Sequence, residues 1–190
     1  SKECICSTFY AVVVVSPGKQ PESYESVRVI TSSIPMKPTQ FAIMKSVNYL
    51  PNALSQLEAE EKGAFAGIWV DDEGYVAEGP NTNVAFVNKG GELLMPSFDN
   101  ILSGCTAKRI LALAHQLLEV SEYQSCPLKG IKVGPISVIE GKNASEMMLI
   151  GSGLPILPII QWDQQTIGNG NISVIIFKNL LTLTYIYLHH

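Results

Sequence analysis

The order of elements predicts an α+β domain: one curved or barrel-like, mostly antiparallel sheet with helices packed outside it. Three observations lead there. Short β-branched or alternating runs bounded by turn residues recur along the chain. Two pairs of them are joined tightly enough to form hairpins. Only two long segments carry helical periodicity, and they are interleaved with the hairpins. The chain has 190 residues, 46% hydrophobic and 16% charged. That suits one domain, or a large domain with an appendage, and a sizeable core.

The elements follow in order. FYAVVVV (Phe9–Val15) is a continuous apolar run, as expected of a strand buried on both faces. A polar loop with a Pro17-Gly18 turn precedes a second strand in SVRVITSS. IPMKPTQF holds two prolines and is expected to be an extended connector. ALSQLEAEEKGA reads as a helix with Leu54 and Leu57 at helical spacing and Gly63 past its end. AGIWVDDEGYVAEG reads as a hairpin turning at Asp72-Glu73-Gly74, and TNVAFVNKGGELLMP as another turning at Lys89-Gly90-Gly91. ILSGCTAKRILALAHQLLE starts as a small-residue loop and continues as an amphipathic helix with Ile110, Leu113 and Leu117 on one face. KGIKVGPISV reads as a strand, and ASEMMLIGSG as a strand or short helix. The prolines of LPILPIIQWD confine it to an edge or irregular strand.

Charge and cysteine usage exclude several classes. The net charge is -4 and there is no Lys/Arg run, which argues against nucleic acid as a partner. Cys4, Cys6, Cys105 and Cys126 do not have zinc-ligand spacing, so no metal is expected. They read as reduced thiols of an intracellular, soluble protein. The apolar run from Ile172 to Leu188 is interrupted by Lys178 and Asn179 and is short for a membrane span.

Four stretches can carry chemistry. In FAIMKSVNYLPN, Lys45 stands among apolar residues. It either snorkels its ammonium to water or, if desolvated, is an amine nucleophile able to form a Schiff base with an aldehyde. Tyr49 beside it could orient the amine or anchor a phosphate, or be an ordinary half-buried tyrosine. In EGPNTN, Glu78 is either a solvated loop acid or a carboxylate that pairs with a ring nitrogen. In LSGCTAKR, the residues around Cys105 and Thr106 form a plain N-cap or a phosphate seat of backbone N–H groups and a hydroxyl. IGSG could add Ser152 to that seat.

Taken together, KSVNYLPN, EGPNTN, ILSGCTAKR and MMLIGSG resemble fold-type IV pyridoxal-phosphate enzymes, the class IV aminotransferases. The likeness is greatest to the plant plastid D-amino-acid or branched-chain-like group and runs from about Phe9 to Gly170. The resemblance implies the large C-terminal domain of the D-amino-acid aminotransferase-like fold, a pseudo-barrel with helices outside. It implies pyridoxal 5'-phosphate as cofactor, held by Lys45 as a Schiff base, with Lys45 also shuttling the substrate proton. Glu78 would pair with the pyridine nitrogen, Tyr49 would lie near the ring, and Cys105, Thr106 and Ser152 would hold the phosphate. Amino-acid and 2-oxo-acid substrates, a homodimer and a plastid location are implied in the same way.

Two departures from the family pattern accompany the resemblance. Relatives carry a smaller N-terminal domain ahead of this region, which supplies an arginine to the phosphate. The residues after IGNG do not match the family's ending. The expected organisation is therefore a cofactor-binding domain over 1–170 and an atypical apolar tail over 171–190. Three functions remain open: transamination of a D-amino acid or branched-chain amino acid, elimination of pyruvate by an aminodeoxychorismate lyase, and a non-catalytic cofactor-binding or interaction fragment.

Overall fold

The structure, a computed structural model, describes residues 11, 13, 26–119, 128–153 and 155–170. The strand expected over Phe9–Val15 falls almost wholly outside the described residues, as does the tail over 171–190.

The described elements run β1 (Val27–Thr31), α1 (Thr39–Ala42), α2 (Leu50–Glu61), β2 (Ala66–Ile68), β3 (Asn83–Val87) and β4 (Glu92–Met95). They continue with α3 (Cys105–Glu119), β5 (Gly130–Val133), α4 (Val138–Lys142), β6 (Glu146–Ile150), β7 (Leu157–Trp162) and β8 (Gln165–Thr166). One sheet has the order β2-β1-β7-β6-β3-β4-β5, with β8 added to β7. The β3–β4, β3–β6, β6–β7 and β7–β8 pairings are antiparallel. The β1–β2, β1–β7 and β4–β5 pairings are parallel.

Isolated bridges carry the sheet round towards closure. Beyond β2, Val70 pairs with Val76, and Tyr75 pairs with Ser137, which follows β5. The first expected hairpin is this closing segment. Its turn is held by Asp71, whose Oδ1 accepts from the amides of Glu73 and Tyr75. The second expected hairpin is β3–β4, turning at Gly91 with a φ of 82°, a conformation that favours glycine.

The period-2 alternation of β3 shows why both faces of the sheet are buried. Val84 and Phe86 join a cluster with Val29, Ile68, Leu94 and Trp162, which fills the interior of the curved sheet. Ala85 and Val87 point the other way, into a cluster with Ala107, Ile110, Ala114 and Leu117 of α3. The apolar stripe read in α3 is thus the face that packs, with Ile110, Leu113 and Leu117 buried.

Helix α2 departs from expectation. Leu54 and Leu57 are 41% and 53% exposed. The face that packs is Asn52, Ser55 and Ala59. The reason is close approach: a Cβ added at Gly67 of β2 would lie 2.5 Å from Ser55 Oγ and 2.9 Å from Ser32 Cβ. Only small side chains fit where helix and strand backbones come this near.

Strand β7 is a second correction. It lies inside the sheet, between β1 and β6. Its Pro158 is tolerated because it pairs with Met148 of β6, whereas pairing to β1 starts at Ile159. The missing N–H therefore faces no ladder position on the β1 side. Segment ASEMMLIGSG resolves as strand β6. Two short helices add to the expected elements: α1, at the end of the connector, and α4, which follows β5. Helix α4 is capped by Ser137, whose Oγ accepts from the Glu140 amide.

Two carboxylates tie this frame together. Asp163 accepts from Thr31 N (2.6 Å), Thr31 Oγ1 (2.8 Å) and Lys142 Nζ (2.6 Å), joining β1, the end of β7 and α4. Glu58 of α2 accepts from Ser32 Oγ, Ser33 N, Ser33 Oγ and Lys62 Nζ, at 2.9, 2.9, 2.6 and 2.8 Å. Burial works to raise the Glu58 carboxyl, but the bonds from Lys62, Ser33 and Ser32 prevail and bring it down to about 2.

The contact at Gly67 is testable. Gly67→Ala is expected to lower stability by about 1–3 kcal/mol, as overpacking does. Gly130→Ala, whose Cβ would meet Glu92 at an ordinary 3.5 Å, should change it by no more than about 0.5 kcal/mol. Urea unfolding of the two variants makes the comparison, and equal effects would remove the close-approach account of α2.

Candidate active site

A cavity of about 380 Å³ opens where the connector after β1, the closing segment, the start of α3 and the loop after β6 meet. Its size is at the small end of ligand pockets. All six residues singled out in the sequence line it: Lys45, Tyr49, Glu78, Cys105, Thr106 and Ser152.

Glu78 is the buried one, 7% exposed. Its backbone carbonyl accepts from the Trp69 amide at 2.9 Å, in the segment that closes the sheet. Its Oε2 accepts from the Leu102 amide at 3.2 Å. Burial pushes its carboxyl up to about 7, against the lowering effects of the Leu102 N–H, Lys37 and Lys45. The solvated-loop reading of this residue does not hold.

Lys45, by contrast, matches the first of the two readings left open for it, a lysine that reaches water. It lies in the loop between α1 and α2 and is exposed. Its apolar neighbours are exposed as well: Met44 is 54% and Val47 99% accessible. An apolar local sequence does not bury the amine here, because its apolar neighbours are themselves open to water. Tyr49 directly precedes α2, and its hydroxyl donates to Asn81 Oδ1.

Cys105 and Thr106 are the first two residues of α3. The residue before the helix is Gly104, so neither Ser103 nor Thr106 is a plain N-cap. The Lys108 amide bonds to the Gly104 carbonyl at 3.0 Å, leaving the earlier amides of the first turn without an intrahelical partner. Their dipole end faces the cavity with the Thr106 hydroxyl. A Cβ at Gly104 would collide with Asn83 Oδ1, and Asn83 Nδ2 donates to the Leu102 carbonyl at 2.9 Å. Asn83 thereby fixes the loop that leads into the helix. Cys105 is a free, exposed thiol, and Ser152 is exposed in the loop after β6.

The cavity also takes in residues to which the sequence analysis assigns no role, among them Lys37, Asn52, Thr82 and Asn83. Asn52 is buried, and its Nδ2 donates to the Pro80 carbonyl. Asn52 Oδ1 and Thr82 Oγ1 are buried and have no hydrogen-bond partner among the described residues. Asn52, Thr82 and Asn83 stood inside motifs quoted for other residues. Lys37, between two prolines, gave no signal at all.

A model of the family described as amino-transferase class IV matches residues 1–162. The chain is 56% identical over 174 residues to a chloroplastic D-amino-acid transaminase of Arabidopsis thaliana, covering 88% of this chain and 43% of that protein. It is 26% identical to a putative branched-chain-amino-acid aminotransferase of Methanocaldococcus jannaschii, covering 93% of this chain and 58% of the relative. Among solved structures, a branched-chain aminotransferase from Thermoproteus uzoniensis with norvaline is similar with a TM-score of 0.73 at 26% identity. That match covers 87% of this chain and 52% of the other. The PLP-form of a branched-chain amino acid aminotransferase from Thermobaculum terrenum gives a TM-score of 0.75 at 24% identity, covering 87% and 52%. The chain thus spans about half the length of the proteins it matches.

The buried carboxyl has a measurable consequence in the ligand-free protein. Its folded value, about 7, lies above the ordinary 4.5. The stability tied to its neutral form is therefore fully present below pH 4.5 and is lost as pH rises through 7. Glu78→Gln should be more stable than the parent at pH 8, by at most about 3 kcal/mol at 1.36 kcal/mol per pH unit, and should lose that advantage by pH 4.5. Denaturant unfolding at the two pH values checks the sign; an advantage independent of pH would contradict it.

Proposed function

The chain belongs to the class IV aminotransferase family, and from that premise we propose that it carries out pyridoxal-phosphate-dependent transamination between an amino acid and a 2-oxo acid. The observation that carries the proposal is the convergence, in one cavity, of the Lys45 amine, the buried Glu78 carboxyl and the start of α3 with Thr106. The similar proteins are named transaminases and aminotransferases, which favours transfer over elimination of pyruvate. The 56% identity to a D-amino-acid transaminase favours a D-amino acid as donor, with a plastid as the site of action. A branched-chain amino acid is the second reading, supported by the names of the more distant relatives. No helix among the described residues is long and apolar enough to cross a membrane.

The residues present fit the cofactor. Asn52 Oδ1 and Thr82 Oγ1 are buried polar atoms with no hydrogen-bond partner among the described residues, and Gly104 leaves no Cβ between the Leu102–Cys105 backbone and Asn83. Pyridoxal phosphate, when bound, supplies an aldehyde that bonds to amines and a ring that delocalises the electrons left when the substrate Cα loses its proton. Lys45 Nζ would hold the cofactor and move the proton at the substrate Cα. Glu78 would pair as a carboxylate with the protonated ring nitrogen, whose charge would offset the cost of burying the ionised form. The first amides of α3, with Thr106 Oγ1 and Ser152 Oγ, would bind the phosphate, and Cys105 would contribute its backbone only. Tyr49, bonded to Asn81, would flank the ring. Residues 1–170 would form this cofactor-binding unit, with residues 171–190 outside it.

The exposed loop bears on assembly. Phe41, Ile43, Met44, Val47 and Leu50 are exposed beside Lys45, with Leu54 and Leu57 on the adjoining helix. A concentration of exposed apolar side chains along one segment is the kind of surface that marks an interface. A homodimer that covers it would exclude water from the amine. Sedimentation should give a dimer for the parent and a monomer for Val47→Glu/Leu50→Glu; a parent that stays monomeric at micromolar concentration argues against this arrangement.

Titrating the protein with pyridoxal phosphate should produce a visible absorbance band that borohydride abolishes. Lys45→Ala should bind without that band. Absence of the band in the parent sinks the proposed activity for this chain; an equal band in both proteins moves the amine elsewhere. A half-reaction with D-alanine against one with L-leucine then separates the two donor classes.

A further inference from the structure

Lys37 has no part in the chemistry described so far, yet it stands in the same cavity as Glu78, half-buried where Lys45 is exposed. Its segment is held at several points. Ser32 and Ser33 are bonded to Glu58. The Ile34 carbonyl accepts from Trp69 Nε1 at 2.9 Å. Met36 packs on Trp69, Ala77 and Ile101, and Ala77 is the residue before Glu78. Pro35 and Pro38 confine the backbone of the residues preceding each of them, Ile34 and Lys37. Among the described residues Lys37 makes no ion pair, so its charge acts across the cavity rather than being neutralised at its own site.

We propose that Lys37 is a positioning residue: an ammonium carried on an anchored connector, placed in the same cavity as Glu78 so that it favours the carboxylate form of that side chain against the effect of burial. The proposal rests on Glu78 serving a basic ring nitrogen, where the ionised form is the useful one. Other groups can supply this charge less steadily. The titratable groups lining the cavity besides Glu78 are Lys37 and Lys45 from the connector and loop, Tyr49 ahead of α2, and Cys105 at the start of α3. Tyr49 and Cys105 bring no positive charge. Lys45, as the group that takes a proton, must spend part of each cycle as a neutral amine. Lys37 has no such duty. Consistent with this order, the Leu102 N–H, then Lys37, then Lys45 oppose the effect of burial on Glu78.

The test reads Glu78 without the cofactor, so it stands apart from the fate of the transaminase reading. The carboxyl carbon of Glu78, labelled with ¹³C and assigned by its loss in Glu78→Gln, is titrated by NMR. Lys37→Gln should raise the midpoint above about 7 by roughly half a pH unit or more, less than the 1–3 units of an opposite charge in direct contact. Lys37→Arg should restore it, and Lys45→Gln should raise it by less than Lys37→Gln. Lys37→Met serves in place of the glutamine variant if that one does not fold. An unmoved midpoint in Lys37→Gln, an equal change in the arginine variant, or a larger change in Lys45→Gln overturns the proposal. Failure of the parent to bind pyridoxal phosphate would overturn the cofactor reading alone.

Discussion

Trp69 is the residue on which the site depends. Its amide bonds to the carbonyl of Glu78 and its carbonyl accepts from the Ala77 amide, so it holds the segment that closes the sheet. Its indole N–H holds the Ile34 carbonyl, and its ring packs with Ala77 and Ile101, against which Met36 rests. One buried residue thus holds, through its backbone, the segment that carries Glu78 and, through its side chain, the connector that brings Lys37 to the cavity. The cavity is the gap left between these two anchored strands of chain and the start of α3.

Two kinds of contact set how near the elements come. In the sheet interior, bulky side chains such as Phe86 and Trp162 stack with ring centroids 6.2 Å apart and add the large apolar areas that stabilise cores. At the margins the contacts are between small groups: Gly67 on Ser55, Gly104 on Asn83. Bulk supplies stability, whereas small residues supply precision, because they let backbone approach backbone at a fixed spacing. The candidate site lies on the second kind. The same close packing leaves the leucines of α2 outward.

Electrostatics divides the same way. Glu58 and Asp163 are carboxylates satisfied by several donors and held low, and they brace the frame. Glu78 accepts one backbone bond and is held high. Carboxylates that brace a fold are surrounded by donors. A carboxyl left with capacity to share a proton, in a cavity, is the pattern expected of a functional group.

The sequence by itself determined the α+β class, the two hairpins and the face of α3, and it singled out six residues that the structure brings to one cavity. Each of these is carried by local signals: turn glycines, period-2 and period-3.6 patterns, and motifs a few residues long. Tertiary structure alone decided that α2 buries Asn52, Ser55 and Ala59, that Pro158 can sit in an interior strand, that Lys45 is exposed and that Lys37 reaches the cavity. These depend on partners far away in the chain, such as Gly67 for Ser55 and Trp69 for Ile34. A hydrophobicity pattern ranks residues by their wish to leave water; it does not say which neighbour stands close enough to let them.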